Sequence, residues 1–157
     1  MDDTHATDGL SDAEALDHLH EPGAYRRLAE RTADPGVLRV LARCEYPFVW
    51  HTIVRNPAAP LDLLVTLSVR RHSTWNDNHL LRLLAAHPAV AGEALDGLVE
   101  LVAERLREGE RPYAAVLLLA RRPELTEERL NRLGHLPGAS SRLRRGISRA
   151  LAARPPG

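Results

Sequence analysis

At 157 residues and 44% hydrophobic content the chain is long enough to bury the core of one domain, which excludes disorder throughout. Its 21 basic and 21 acidic residues cancel, so no whole-molecule field draws it to a polyanion or a membrane surface. A single cysteine, Cys44, excludes an internal disulfide framework and makes a reducing compartment the default. Every basic residue other than histidine is arginine, the composition of a GC-rich, bacterial coding sequence.

In chain order, residues 1–10 lack the basic and apolar regions of a secretory signal and read as a disordered tail. Ser11 followed by Glu14 is a capping box that predicts a helix through Leu16 and Leu19, before Pro22-Gly23. Leu28-Ala29 then leads to Leu38 and Leu41, with Pro35 in the first turn of a second helix. Tyr46, Phe48, Trp50 and His51 surround a helix start at Pro47 and are expected to fill the core.

From here the chain repeats. Placing Pro57, Pro88, Pro123 and Pro155 in register aligns Val49, Leu80, Ala115 and Ile147 eight residues before each proline. Ile53, Leu84, Leu119 and Leu151 align four residues before it, followed by Val54, Ala85, Ala120 and Ala152. Three copies continue with Leu64, Leu95 and Leu130, then Leu67, Leu98 and Leu133 three residues on. The spacing is that of one helical face, a stop at a proline, and a second helix with its own apolar face. The unit is a helix-turn-helix repeat, and no window alternates like a half-buried strand. The plainest amphipathic helix spans residues 93–107, with Leu95, Leu98, Val99, Val102 and Leu106 on one stripe. Glu108-Gly109-Glu110 stops it and Pro112 restarts the chain. Pro155-Pro156-Gly157 ends the final helix, whose polar face is suited to cap an array. Residues 11–154 are therefore expected to form a single all-α domain of about four to five repeats.

The segment Asn56-Pro57-Ala58-Ala59-Pro60, with Ile53-Val54 before it and Leu64, Leu67 and Ser68 after, resembles the leucine-rich repeat variant family. That family's unit centres on an Asn-Pro dipeptide and a second proline, followed by spaced leucines. Elsewhere here the dipeptide becomes His87-Pro88, Arg122-Pro123 and Arg154-Pro155 and the second proline is missing. The resemblance covers roughly residues 24–155 and implies a right-handed α-solenoid related in shape to HEAT and armadillo arrays. Some family members hold an iron-sulfur cluster on an N-terminal cysteine cluster; with one cysteine, no such cofactor is expected here.

Two regions are candidate partner-binding surfaces. From Arg129 onward stand Arg129, Arg132, Arg142, Arg144, Arg145, Arg149 and Arg154 with no acidic residue, whereas residues 1–24 hold seven acids and no arginine. Arg142, Arg145 and Arg149 share a helical face that could meet phosphates or an acidic peptide, or simply be solvated beside a helix C-terminus. Between Ser68 and His79 the link carries Arg70, Arg71, His72 and Trp75, a composition favoured at interface hot spots. The structural alternative has Asp77 or Asn78 capping the next helix and Trp75 packed beneath it. His51, His72, Asp77 and His79 lack metal-ligand spacing, so no metal is expected.

No glycine-rich phosphate loop, nucleophile elbow or paired catalytic carboxylates appear. The expectation is a non-catalytic scaffold that binds a protein or peptide in a groove of stacked helices. Nucleic-acid binding through the arginine-rich end is the alternative, by analogy with HEAT-like DNA-binding proteins. An enzyme acting on DNA bases, like HEAT-like glycosylases, ranks third, with Asp77 as its acid. The longest apolar stretch, Ala114 to Ala120, is far short of the ~20 residues that span a bilayer, so no membrane partner and a cytoplasmic location are expected. Opposite charge at the two ends and an apolar end row also predict weak self-association.

Overall fold

A computed structural model describes residues 11–156. The expected tail, 1–10, lies outside the described residues. Ten α-helices and one 3₁₀ turn are found among them, with no strand: α1 (Asp12–Ala15), α2 (Pro22–Arg31), α3 (Pro35–Leu41), α4 (Pro47–Arg55), α5 (Leu61–Ser68), α6 (Thr74–Ala85), α7 (Gly92–Arg107), α8 (Tyr113–Leu119), α9 (Glu127–Gly134) and α10 (Ser141–Ala152). Among the described residues the helices cluster into two compact units, one ending at Leu63 and one beginning at Leu64.

Helix starts follow local chemistry. Ser11 and Glu14 form the capping box, as predicted, yet α1 tightens into a 3₁₀ turn at Leu16–His18 and ends there. The helix does not run through Leu19, because Glu21 must be extended ahead of Pro22, the first residue of α2. Pro35 and Pro47 likewise open α3 and α4. Ser73, Thr126 and Ser140 cap α6, α9 and α10 by accepting a backbone N–H. At the end of α7 the Gly109 N–H donates to Leu106 O (3.0 Å) and the Glu110 N–H to Arg105 O (2.9 Å). Gly109 takes φ +84°, so this is a Schellman stop that requires glycine.

The aligned rows are the core. Val49, Leu80, Ala115 and Ile147 are buried, as are Ile53, Leu84 and Leu119, and both leucine columns of the second helices. Only the last copy thins out: Leu151 is half-buried and Ala152 exposed. First helices lie against first helices, α2 on α4 in one unit and α6 on α8 and α8 on α10 in the other. Pro57, Pro88 and Pro123 each stand second in a tight turn. The Ala59, Val90 and Leu125 N–H groups donate to the carbonyls of Asn56, His87 and Arg122, at 3.0 to 3.1 Å. The fourth turn residue, Ala59, Val90 or Leu125, plugs the core.

At three of the four aligned prolines the preceding residue, Asn56, Arg122 or Arg154, ties its repeat to the one before it within the same compact unit. Buried Asn56 donates from Nδ2 to the carbonyls of Ala29 and Thr32, both at 2.8 Å, and accepts the Ala58 N–H at 2.8 Å. Arg122 reaches the carbonyls of Ala85 (3.2 Å), His87 (3.1 Å) and Val90 (2.7 Å). Arg154 reaches those of Ala120 (2.7 Å), Leu125 (2.7 Å) and Arg122 (2.8 Å). Arg122 and Arg154 thus do what Asn56 does: a fork of N–H donors binds carbonyls at the end of the preceding helix and in the turn that follows it. His87 keeps the other half of the asparagine pattern, its Nδ1 accepting the Ala89 N–H at 3.1 Å. Burial, and then the field of the Arg122 guanidinium, holds its imidazole below the ordinary pKa of 6.5.

Candidate functional site

The predicted site residues separate into those the fold consumes and those it leaves outward. Arg71 belongs to an ion cluster. Its Nε lies 3.1 Å from the buried carboxylate of Asp77, its Nη1 lies 3.6 Å from Glu108, and its Nη2 donates to Glu110. Buried Arg105 adds a second guanidinium, 3.6 Å from Glu108 and 3.9 Å from Glu110. Asp77 also accepts the His72 N–H at 2.7 Å. Neither Asp77 nor Asn78 caps α6, because Ser73 already does; the Asp77 carboxylate instead folds the 70–73 link back onto α7's end.

Trp75 does not pack beneath the helix. It is 71% exposed and stacks on His79 one turn on, with ring centroids 5.4 Å apart and planes at 15°. His72 is exposed and Arg70 half-buried. In the other unit, Trp50 and His51 fill the core as expected, with the Trp50 indole N–H donating to Cys44 O at 2.9 Å. Tyr46 and Phe48 do not: they stack 5.6 Å apart on the surface, with Tyr25 edge-on to Tyr46 at 5.7 Å. Both stand at the N-terminal end of α4, Tyr46 as its N-cap, ahead of the stretch from Val49 to Val54 that is buried.

The C-terminal arginines divide in the same way. Arg129 pairs with Asp96 and stands 3.7 Å from Glu100, Arg132 pairs with Glu128, Arg144 donates to Gly134 O at 3.2 Å, and Arg154 binds the carbonyls of the repeat before it. Arg142, Arg145 and Arg149 remain as an exposed stripe on α10, opposite buried Leu143 and Ile147. Among the described residues these three make no ion pair or side-chain hydrogen bond.

The feature that pattern reading missed is a groove within residues 64–157. It has a volume of about 600 Å³ and runs between α5 and α7. Val65 (47% exposed) and Val69 (63% exposed) form one wall. Ala94, Gly97 and Leu101 of α7 form the other, over a floor of buried Leu64, Leu84 and Leu98. A Cβ on Gly97 would meet nothing within 4 Å, so the missing side chain opens the groove to solvent. Glu93, Glu100 and Glu104 line its rim, with Arg107 at one end. A smaller hollow of about 390 Å³ follows between α7 and α9, floored by Val99, Ala103, Leu133 and Leu136 and edged by Arg107, Arg129, Arg132 and His135. The signal for the groove was present in the sequence as valines at positions 65 and 69 and a glycine inside an otherwise ideal helix. Only packing shows that they face one another.

Among the described residues no three His, Cys, Asp or Glu side chains gather as a metal site, and no helix is long and apolar enough to cross a membrane. No family model, curated protein or solved structure matches the chain.

Proposed function

We propose that the chain is a non-catalytic helical-repeat scaffold, a right-handed α-solenoid of the leucine-rich repeat variant and HEAT-like kind, that holds a segment of another protein. One observation supports this above the others: the apolar-floored groove between α5 and α7, with Val65 and Val69 left in water. Covering such surface releases roughly 25 cal/mol per Å², and a groove of this size accepts several large apolar side chains. Panning a random peptide display library on the folded chain tests it. Enriched peptides that compete with one another and lose binding to a Val65→Asn, Val69→Ser double variant support the proposal. Enrichment of nothing that depends on these two residues overturns it.

A second function, nucleic-acid binding, draws on the three exposed arginines of α10. If Arg142, Arg145 and Arg149 each meet a phosphate, replacing all three with alanine lowers the slope of log affinity against log salt by about 2.7 on duplex DNA. Absence of binding to labelled duplex or single-stranded DNA at low salt removes it.

A further inference from the structure

Charge is unevenly laid out along the chain. Residues 1–63 hold six arginines against eleven acidic residues, and residues 64–157 hold fifteen against ten. The groove lies in the positive unit, yet its rim is negative. Glu93, Glu100 and Glu104, seven and four residues apart, fall on one stripe of α7 beside Ala94, Gly97 and Leu101 of the wall. All three are exposed. Within the described residues Glu93 and Glu104 have no ionic partner, and Glu100 has only Arg129 at 3.7 Å. A carboxylate row beside an apolar trough, in a unit with five surplus arginines, is a local reversal of sign that selects its ligand by charge.

The trough also has a length. From Glu93 to Arg107 it follows α7 for fourteen residue steps, about 21 Å at 1.5 Å per residue, which is the span of roughly four turns of a bound helix. An amphipathic helix presents apolar side chains at three- and four-residue spacing along such a trough and keeps its flanking charges at the rim.

Resting on the docking function above, we propose that the occupant of the α5–α7 groove is an amphipathic helix of another protein, with an apolar stripe flanked by arginine or lysine facing Glu93, Glu100 and Glu104. The apolar stripe seats against Val65, Val69 and Leu101, and Gly97 provides the room for it. Arg107, at the C-terminal end of α7, keeps the partner's basic flank toward the other three-quarters of the trough.

Two synthetic sixteen-residue helical peptides test this on the full chain, by fluorescence anisotropy. Both carry the same leucine stripe; one is flanked by arginines and the other by glutamates. The expected result is at least tenfold tighter binding of the arginine peptide. That preference should vanish in a Glu93→Gln, Glu100→Gln, Glu104→Gln variant and weaken with added salt. Gly97→Leu, which fills the trough from an exposed position, should weaken binding at least tenfold, and Val65→Asn on the opposite wall should do the same should the first variant fold poorly. Equal or tighter binding of the glutamate peptide, still lost in Gly97→Leu, overturns the charge assignment and leaves the docking groove standing. Arginine-peptide binding indifferent to both groove variants, or no binding by either peptide, overturns both. A dimer seen by sedimentation and dissolved by Gly97→Leu makes a second copy of this chain the occupant and overturns the partner helix.

Discussion

Replacing Arg122 with methionine removes three charge-assisted hydrogen bonds at once while keeping most of the side chain's bulk. The guanidinium donates to the carbonyls of Ala85, His87 and Val90, and its side chain is 13% exposed. A hydrogen bond to a charged group contributes about 1.5 to 3 kcal/mol when buried, so three partly buried ones at the lower end or below it give a loss of about 3 kcal/mol. The exposed pair with Glu124 adds little. For one cooperative transition of 157 residues, with about 2.1 cal/mol/K of unfolding entropy per residue, the melting temperature falls by about 9 °C. Arg122→Lys keeps the charge but a single ammonium cannot span three carbonyls, so it should lose about half as much. Urea denaturation followed by circular dichroism measures both, with Arg145→Met on the exposed face of α10 as a control expected near zero. An Arg122→Met variant within 1 kcal/mol of the parent, or an Arg122→Lys variant equal to it, refutes the role assigned to the pre-proline fork.

Three further outcomes follow from single positions. The imidazole of His87 is held below 6.5 in the fold, so its contribution to stability is complete above that pH and is lost as pH falls through the lower folded value. His87→Asn copies the Asn56-Pro57 dipeptide and keeps an acceptor for the Ala89 N–H, and should flatten the fall in midpoint below pH 6.5; an unchanged pH profile counts against it. Gly138→Ala places a Cβ 2.0 Å from the backbone carbonyl oxygen of Leu106, which cannot swing aside, and should cost about 3 kcal/mol or more in urea titrations. A cost under 1 kcal/mol means that the α9–α10 link shifts freely. Trp75→Ala should change stability by less than about 1 kcal/mol, since the ring stands in solvent, and should blue-shift the emission by leaving buried Trp50 as the sole indole. A larger loss places the ring in the core.

The sequence by itself determined the all-helical class and most of the helix stops and core, though not the early end of the first helix or the exposure of Tyr46 and Phe48. Helical periodicity and proline restrict the backbone locally, so the aligned columns at Val49, Ile53, Leu64 and Leu67 and their copies had one face on which to be buried. The capping box at Ser11, the Gly109 stop and Pro35 at a helix start were legible for the same reason: each is satisfied by atoms within a few residues. Tertiary structure alone decided which charges are spent. Arg71, Arg129, Arg144 and Arg154 resemble Arg142 and Arg149 in the linear chain, but their partners lie 10 to 39 residues away or in the cluster around Asp77. The α5–α7 groove has the same origin. Val65 and Gly97 acquire meaning only when two helices, separated by a third, are laid side by side, and no local propensity carries that information.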